Sequence, residues 1–91
     1  MKTNSMMTLQ EAFKVITKTI HIGSKVEGYV VFGVWNNCCI AENPKAPEPY
    51  VVWTIDSNGF GVRAGKYFEN FQKAQKCFYQ EAIKSRPRGR I

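Results

Sequence analysis

Three cysteines and one histidine are the side chains of this 91-residue chain best suited to nucleophilic, redox or metal chemistry. Cys38 and Cys39 are neighbours and Cys77 stands apart, whereas structural zinc sites space paired ligands by two to four residues; a metal site would have to recruit adjacent thiols together with His21. A Cys38–Cys39 disulfide would close a strained ring, and the pair lacks the Cys-x-x-Cys spacing of thiol oxidoreductases. An odd cysteine count also does not suit a disulfide framework, so the thiols are read as reduced and buried as small hydrophobes. His21 sits in Thr19-Ile20-His21-Ile22 with no nucleophile motif around it, and the carboxylates are scattered singly rather than paired for acid–base hydrolysis. No catalytic residue, metal ligand or cofactor is expected, and the chain is read as a non-enzyme.

Charge carries more information than any reactive group. The net charge is +6, yet the first sixty residues balance, with Lys2, Lys14, Lys18, Lys25 and Lys45 against Glu11, Glu27, Glu42, Glu48 and Asp56. The whole excess lies beyond them, where Arg63, Lys66, Lys73, Lys76, Lys84, Arg86, Arg88 and Arg90 face only Glu69 and Glu81. Lys73, Lys76, Gln80 and Lys84 follow at spacings of three and four, which on a helix makes one solvent-facing stripe running into Arg86-Pro87-Arg88-Gly89-Arg90. Lys73, Lys76, Lys84, Arg86, Arg88 and Arg90 are the candidate phosphate-neutralising set, and the partner expected is nucleic acid, nucleoprotein or an acidic protein surface. A second candidate surface is aromatic. Tyr29, Trp35, Tyr50 and Trp53 exceed what two helices can cover, which points to a protein-binding inhibitor or adaptor, or to a homodimer.

The elements that must position these side chains follow from length and pattern. Ninety-one residues allow one domain, and 44% hydrophobic with 22% charged residues fits a folded chain rather than a disordered one. No apolar run approaches the roughly 20 residues needed to span a bilayer, and Met1 to Met7 carries no long apolar leader, so a cytoplasmic protein without a membrane partner is expected. Residues 1–7 and 86–91 are expected to be flexible termini.

Thr8-Leu9-Gln10-Glu11 fits a capping box, and Leu9, Ala12, Phe13, Ile16 and Ile20 continue at helical spacing, predicting a helix from about Thr8 to about Thr19. Val26 to Trp35 alternates and is rich in β-branched and aromatic residues, predicting a strand with Val26, Val30, Phe32 and Val34 on one face and Tyr29, Val31 and Trp35 on the other. Asn36-Asn37 predicts a tight turn into a second strand, Cys38 to Glu42. The three prolines of 43–49 make that stretch a surface loop. Tyr50 to Ile55 is the clearest strand; Asp56-Ser57-Asn58-Gly59 turns it back into Phe60 to Tyr67, where Gly61 and Gly65 suggest a bulge or a close backbone approach. Asn70 caps a last helix running to about Ser85, with Phe71, Ala74, Cys77, Phe78 and Ala82 as its buried stripe and Pro87 forbidding continuation. The predicted fold is α+β, in the order αββββα, with an antiparallel sheet of three to four strands in two hairpins and both helices on one face.

Two resemblances follow from these segments. Helix, strands and a basic last helix resemble a double-stranded-RNA-binding domain, and Gln72-Lys73-Ala74-Gln75-Lys76 is similar to the lysine-rich start of that family's last helix; the resemblance implies phosphate contacts for Lys73 and Lys76. Asn36-Asn37 is too short for that family's histidine-bearing loop, and four strands exceed its three. Residues 50–82, with Tyr50-Val51-Val52-Trp53-Thr54-Ile55-Asp56, a glycine turn, Gly65-x-Tyr67-Phe68 and a helix bearing Ala74 and Phe78, are similar to small uncharacterised proteins of Gram-positive phages and conjugative elements. That resemblance implies an accessory or host-interaction role and no particular chemistry.

Overall fold

The computed structural model describes residues 19–84. The helix predicted from about Thr8 lies outside the described residues except for Thr19, which occupies a bend. The described chain forms β1 (Lys25–Val26), β2 (Tyr29–Trp35), β3 (Cys38–Glu42), β4 (Tyr50–Ile55), β5 (Val62–Phe68) and α1 (Phe71–Lys84). The strands pair antiparallel in the order β1-β2-β3-β4-β5, so each neighbours only its predecessor and successor in sequence.

This corrects the predicted αββββα order. The sheet has five strands rather than three to four, and α1 is the one helix among the described residues. The extra strand arises because Glu27 and Gly28 take positive φ angles of 53° and 88°, which splits the Val26–Trp35 run into a hairpin pairing Val26 with Tyr29 and Lys25 with Val30. An alternating apolar pattern runs straight through such a turn, and only the glycine marks it.

The two faces predicted for this run also need revision. Val31 lies opposite Ala41 and Gly33 opposite Ile40, so Phe32 is an extra residue on β2, a bulge that shifts the alternation. Tyr29 and Val31 keep one face, while Trp35 moves to the other and meets Tyr79 of α1, ring centroids 5.8 Å apart. Gly33 sits where a β-carbon would fall 2.9 Å from Ile40 Cγ2, so the bulge brings bare backbone close against the core.

Each face of the sheet has its own core. Beneath α1, Cys38, Ile40 and Val52 pack against Ala74, Phe78 and Ala82, with Tyr50, Phe68 and Cys77 at the margin. Asn70 caps this helix as its sequence predicts, accepting the Lys73 amide at 3.0 Å. Its predicted buried stripe is narrower than expected, however: Phe71 is exposed and Cys77 half-buried. On the opposite face Tyr29, Val31, Cys39, Ala41, Val51 and Trp53 are buried, joined by Ile20 and Val26 from one end of the sheet and by Ile55 and Val62 from the other. The sheet curls to bring those ends together, and the Ile20 amide donates to the Gly59 carbonyl at 2.7 Å. The predicted loop at 43–49 is held by side-chain and backbone bonds: Asn43 donates its amide to the Pro49 carbonyl, and the Tyr29 hydroxyl donates to the Glu48 carbonyl at 2.9 Å.

Candidate functional site

The helix α1 carries three stripes set by its 3.6-residue period. Ala74, Phe78 and Ala82 face the sheet. On the side toward β5, Glu81 receives two ammonium groups, Lys66 Nζ at 2.9 Å and Lys84 Nζ at 3.5 Å. The hydrogen bond from Lys66 and its charge, with Lys84 adding to it, hold the Glu81 carboxyl below its ordinary range; the same bond raises the Lys66 ammonium above its own. The outer stripe holds Lys73 and Lys76, both exposed and neither in an ion pair among the described residues.

The six predicted phosphate-binding residues therefore fall into three groups. Lys73 and Lys76 stand together on the outer helix surface, Lys84 shares Glu81 with Lys66, and Arg86, Arg88 and Arg90 lie outside the described residues. Arg63, part of the same basic excess, is bound to Asp56 at 2.8 Å on the far side of the β4–β5 turn.

The four predicted protein-binding aromatics are not one surface. Tyr29 and Trp53 are buried on the face opposite α1, packed edge to face with centroids 5.8 Å apart, and burial together with the nearby Tyr67 and Glu48 raises the Tyr29 phenol above its ordinary pKa. Trp35 and Tyr50 lie on the α1 face, where Tyr50 packs on Phe71 at 5.5 Å and Trp35 on Tyr79.

What the sequence reading missed is a cleft between β2 and α1. Phe32, Gly33 and Ile40 form one wall and Phe71, Gln75, Phe78 and Tyr79 the other, enclosing about 190 Å³. Phe32 meets Phe71 at 6.1 Å, and Tyr79 receives a hydrogen bond from Gln75 Nε2 at 3.3 Å. Beyond Trp35 the Asn36 side chain donates to the Ala82 carbonyl at 2.8 Å and ties the β2–β3 turn to the last turn of the helix. Phe32, Trp35, Phe71, Tyr79 and Ile83 remain between 37% and 56% exposed, so the cleft opens onto a continuous apolar rim. The available signal was Phe71, Gln75 and Tyr79 at successive intervals of four, a stripe offset from the buried one.

The reactive side chains are arranged for structure. Cys38 and Cys39 point to opposite faces, as consecutive strand residues must, and each is buried in a different core. Burial and the neighbouring Cys38 push the Cys39 thiol up to about 12, which leaves it protonated and unreactive. His21 is exposed; its Nδ1 lies 2.6 Å from the Thr19 carbonyl, an acceptor only, so Nδ1 carries the proton and cannot take one from Ser24 Oγ 3.3 Å away. Among the described residues no three His, Cys, Asp or Glu side chains converge as a metal set, and no helix is long and apolar enough to cross a membrane.

No family model matches this chain, and no curated protein or solved structure is significantly similar to it.

Proposed function

We propose that this is a non-catalytic accessory domain of the cytoplasm that binds nucleic acid or nucleoprotein through the outer surface of α1. The observation that carries the reading is the pair Lys73 and Lys76, exposed on adjacent turns and without a carboxylate partner among the described residues, in a chain of net charge +6. Two ammonium groups on one helix face suit phosphates on a backbone and carry no base specificity of their own. Arg86, Arg88 and Arg90 extend the same basic run in sequence. Free, largely buried thiols fit a reducing compartment. The resemblance read in residues 50–82 would place such a domain among the accessory proteins of a phage or conjugative element.

Fluorescence anisotropy with mixed-sequence single- and double-stranded DNA and RNA tests this reading. Affinity should fall steeply as salt rises, and exchanging Lys73 and Lys76 for glutamate should flatten the logarithmic salt slope by roughly one for each lysine. Absence of binding at low salt, or an unchanged slope in the double variant, overturns it.

A second reading is favoured by the cleft between β2 and α1. Its apolar walls and exposed aromatic rim suit an anchor side chain of a protein partner, as an inhibitor or adaptor would require. Recovery of a partner from native lysate that persists after nuclease treatment and is lost in Tyr79→Ala supports this reading over the first.

A further inference from the structure

The basic stripe of α1 and the aromatic rim of the cleft are one continuous surface. Lys76 stands one helical turn after Lys73 and one turn before Tyr79, so stripe and rim share a border along the same helix. Both lysines are exposed, and neither has a carboxylate partner among the described residues. Across that border Phe32, Trp35, Phe71 and Tyr79 are 37–47% exposed. These rings are grouped in pairs, Phe32 with Phe71 at 6.1 Å and Trp35 with Tyr79 at 5.8 Å, and the helix sets Phe71 and Tyr79 about 12 Å apart along its axis.

Between the two pairs lies Gln75. Its carboxamide carries two donors and an acceptor, and one donor is engaged by the Tyr79 hydroxyl at 3.3 Å. The cleft that it lines with Tyr79 encloses about 190 Å³ and is otherwise walled by apolar groups.

We infer that this surface binds nucleic acid as a single strand, with bases stacked on the rings of the rim and phosphates along Lys73 and Lys76. The inference rests on the nucleic-acid reading above and names the form of the ligand. A single strand repeats a planar base and an anionic phosphate, and here rings and ammonium groups lie side by side; stacking of this kind tolerates any base because every base has a π face. A duplex answers only half of the surface. Its phosphates can reach the lysines, but its bases stay stacked on one another inside, so the exposed rings would meet sugar and phosphate instead. The Gln75 carboxamide gives a base seated in the cleft a hydrogen-bonding partner for its edge.

Titration with an oligothymidylate and with a duplex of equal length, at the same low salt, tests the inference. Trp35 reports on the rim directly, since it is 43% exposed and Trp53 only 3%. The single strand should bind roughly ten-fold more tightly than the duplex or better, and should quench the emission of the exposed tryptophan. Tyr79→Ala should weaken single-strand binding roughly 5- to 100-fold, leaving the salt slope and duplex binding unchanged, while Tyr79→Phe, which keeps the ring, should bind as the wild type does. Lys76→Ala should weaken both forms and flatten the salt slope by roughly one. Equal affinity for the two forms overturns the inference, as does single-strand binding that leaves Trp35 emission unchanged, or a Tyr79→Ala variant whose single-strand affinity is unaltered or whose loss falls equally on both forms. Each of these leaves the lysine-based reading standing, whereas no binding of either form at low salt brings down both. A protein partner that survives nuclease and is lost in Tyr79→Ala, with no preference for the single strand, gives the rim to that protein and overturns the inference likewise. The quenching measurement uses wild-type protein and stands even if Tyr79→Ala fails to fold.

Discussion

A β-carbon placed on Gly65 would lie 2.8 Å from Nε1 of Trp53 and 3.0 Å from its Cδ1. The indole is 3% exposed and wedged between Tyr29 and the sheet, so it cannot move aside, and the bulge on β5 exists where this ring needs the space. Gly65→Ala should destabilise the fold by about 1–3 kcal/mol, the usual cost of overpacking a core. Urea unfolding followed by tryptophan fluorescence measures it. Gly61→Ala is the control: its β-carbon meets the half-buried, movable Asp56 carboxylate, and the loss should be smaller.

Asn36 serves the turn and the helix at once, with a φ of 55° that asparagine tolerates and a side-chain bond to the Ala82 carbonyl. Asn36→Gly keeps the backbone angle and loses the bond, which should cost about 1 kcal/mol. Asn36→Ala loses both and should cost about 1–2 kcal/mol more. Chemical denaturation separates the two, and faster amide exchange in the last turn of α1 should accompany both.

Thiol labelling should divide the cysteines. Burial raises the Cys77 thiol, with Lys66 partly opposing it, so this half-buried group should react slowly with Ellman's reagent at pH 8 in the native protein. Cys38 and Cys39, buried in opposite cores, should react only after unfolding, at the rate at which the domain opens. Rapid native labelling of two or three thiols would contradict this packing.

The link between β5 and α1 should titrate. Because the Lys66 hydrogen bond holds the folded Glu81 carboxyl below its ordinary value of 4.5, the stability this group contributes is present above that value and is lost as the pH falls through the lowered one. The Lys66 ammonium, raised above 10.5, contributes below that value and loses its contribution as the pH rises through the raised one. Melting temperatures of wild type and Glu81→Gln should differ most between these limits and converge in acid, once the Glu81 carboxyl is protonated in the folded as well as the unfolded chain.

Strand positions were legible where local pattern and turn chemistry agree. Cys38 to Glu42 and Tyr50 to Ile55 fall as alternation and flanking turn residues place them, and Asn70 caps α1 because its short carboxamide reaches the Lys73 amide. The fifth strand was hidden because Glu27 and Gly28 sit inside an otherwise unbroken β pattern, and the strand they release is two residues long. The faces of β2 were misread for a different reason: a one-residue bulge at Phe32 reverses every later side chain, and its one local signal is Gly33 inside the strand pattern. In the candidate site, the basic stripe is visible from spacing alone, whereas the cleft depends on Phe32 and Phe71 meeting across a strand and a helix joined only by tertiary packing. Pairing of Lys84 and Lys66 with a single carboxylate is likewise a product of how α1 lies across β5.

Strict succession of neighbours in the sheet governs the order in which the domain can assemble. Every ladder joins segments close together along the chain, so hairpins can zip as they leave the ribosome without waiting for distant residues. The helix is the exception, since it emerges after all five strands and its Phe78 is what shields Cys38, Ile40 and Val52. Until it docks, a greasy, half-finished sheet is exposed, and premature termination before residue 71 should yield a product that clumps or is degraded.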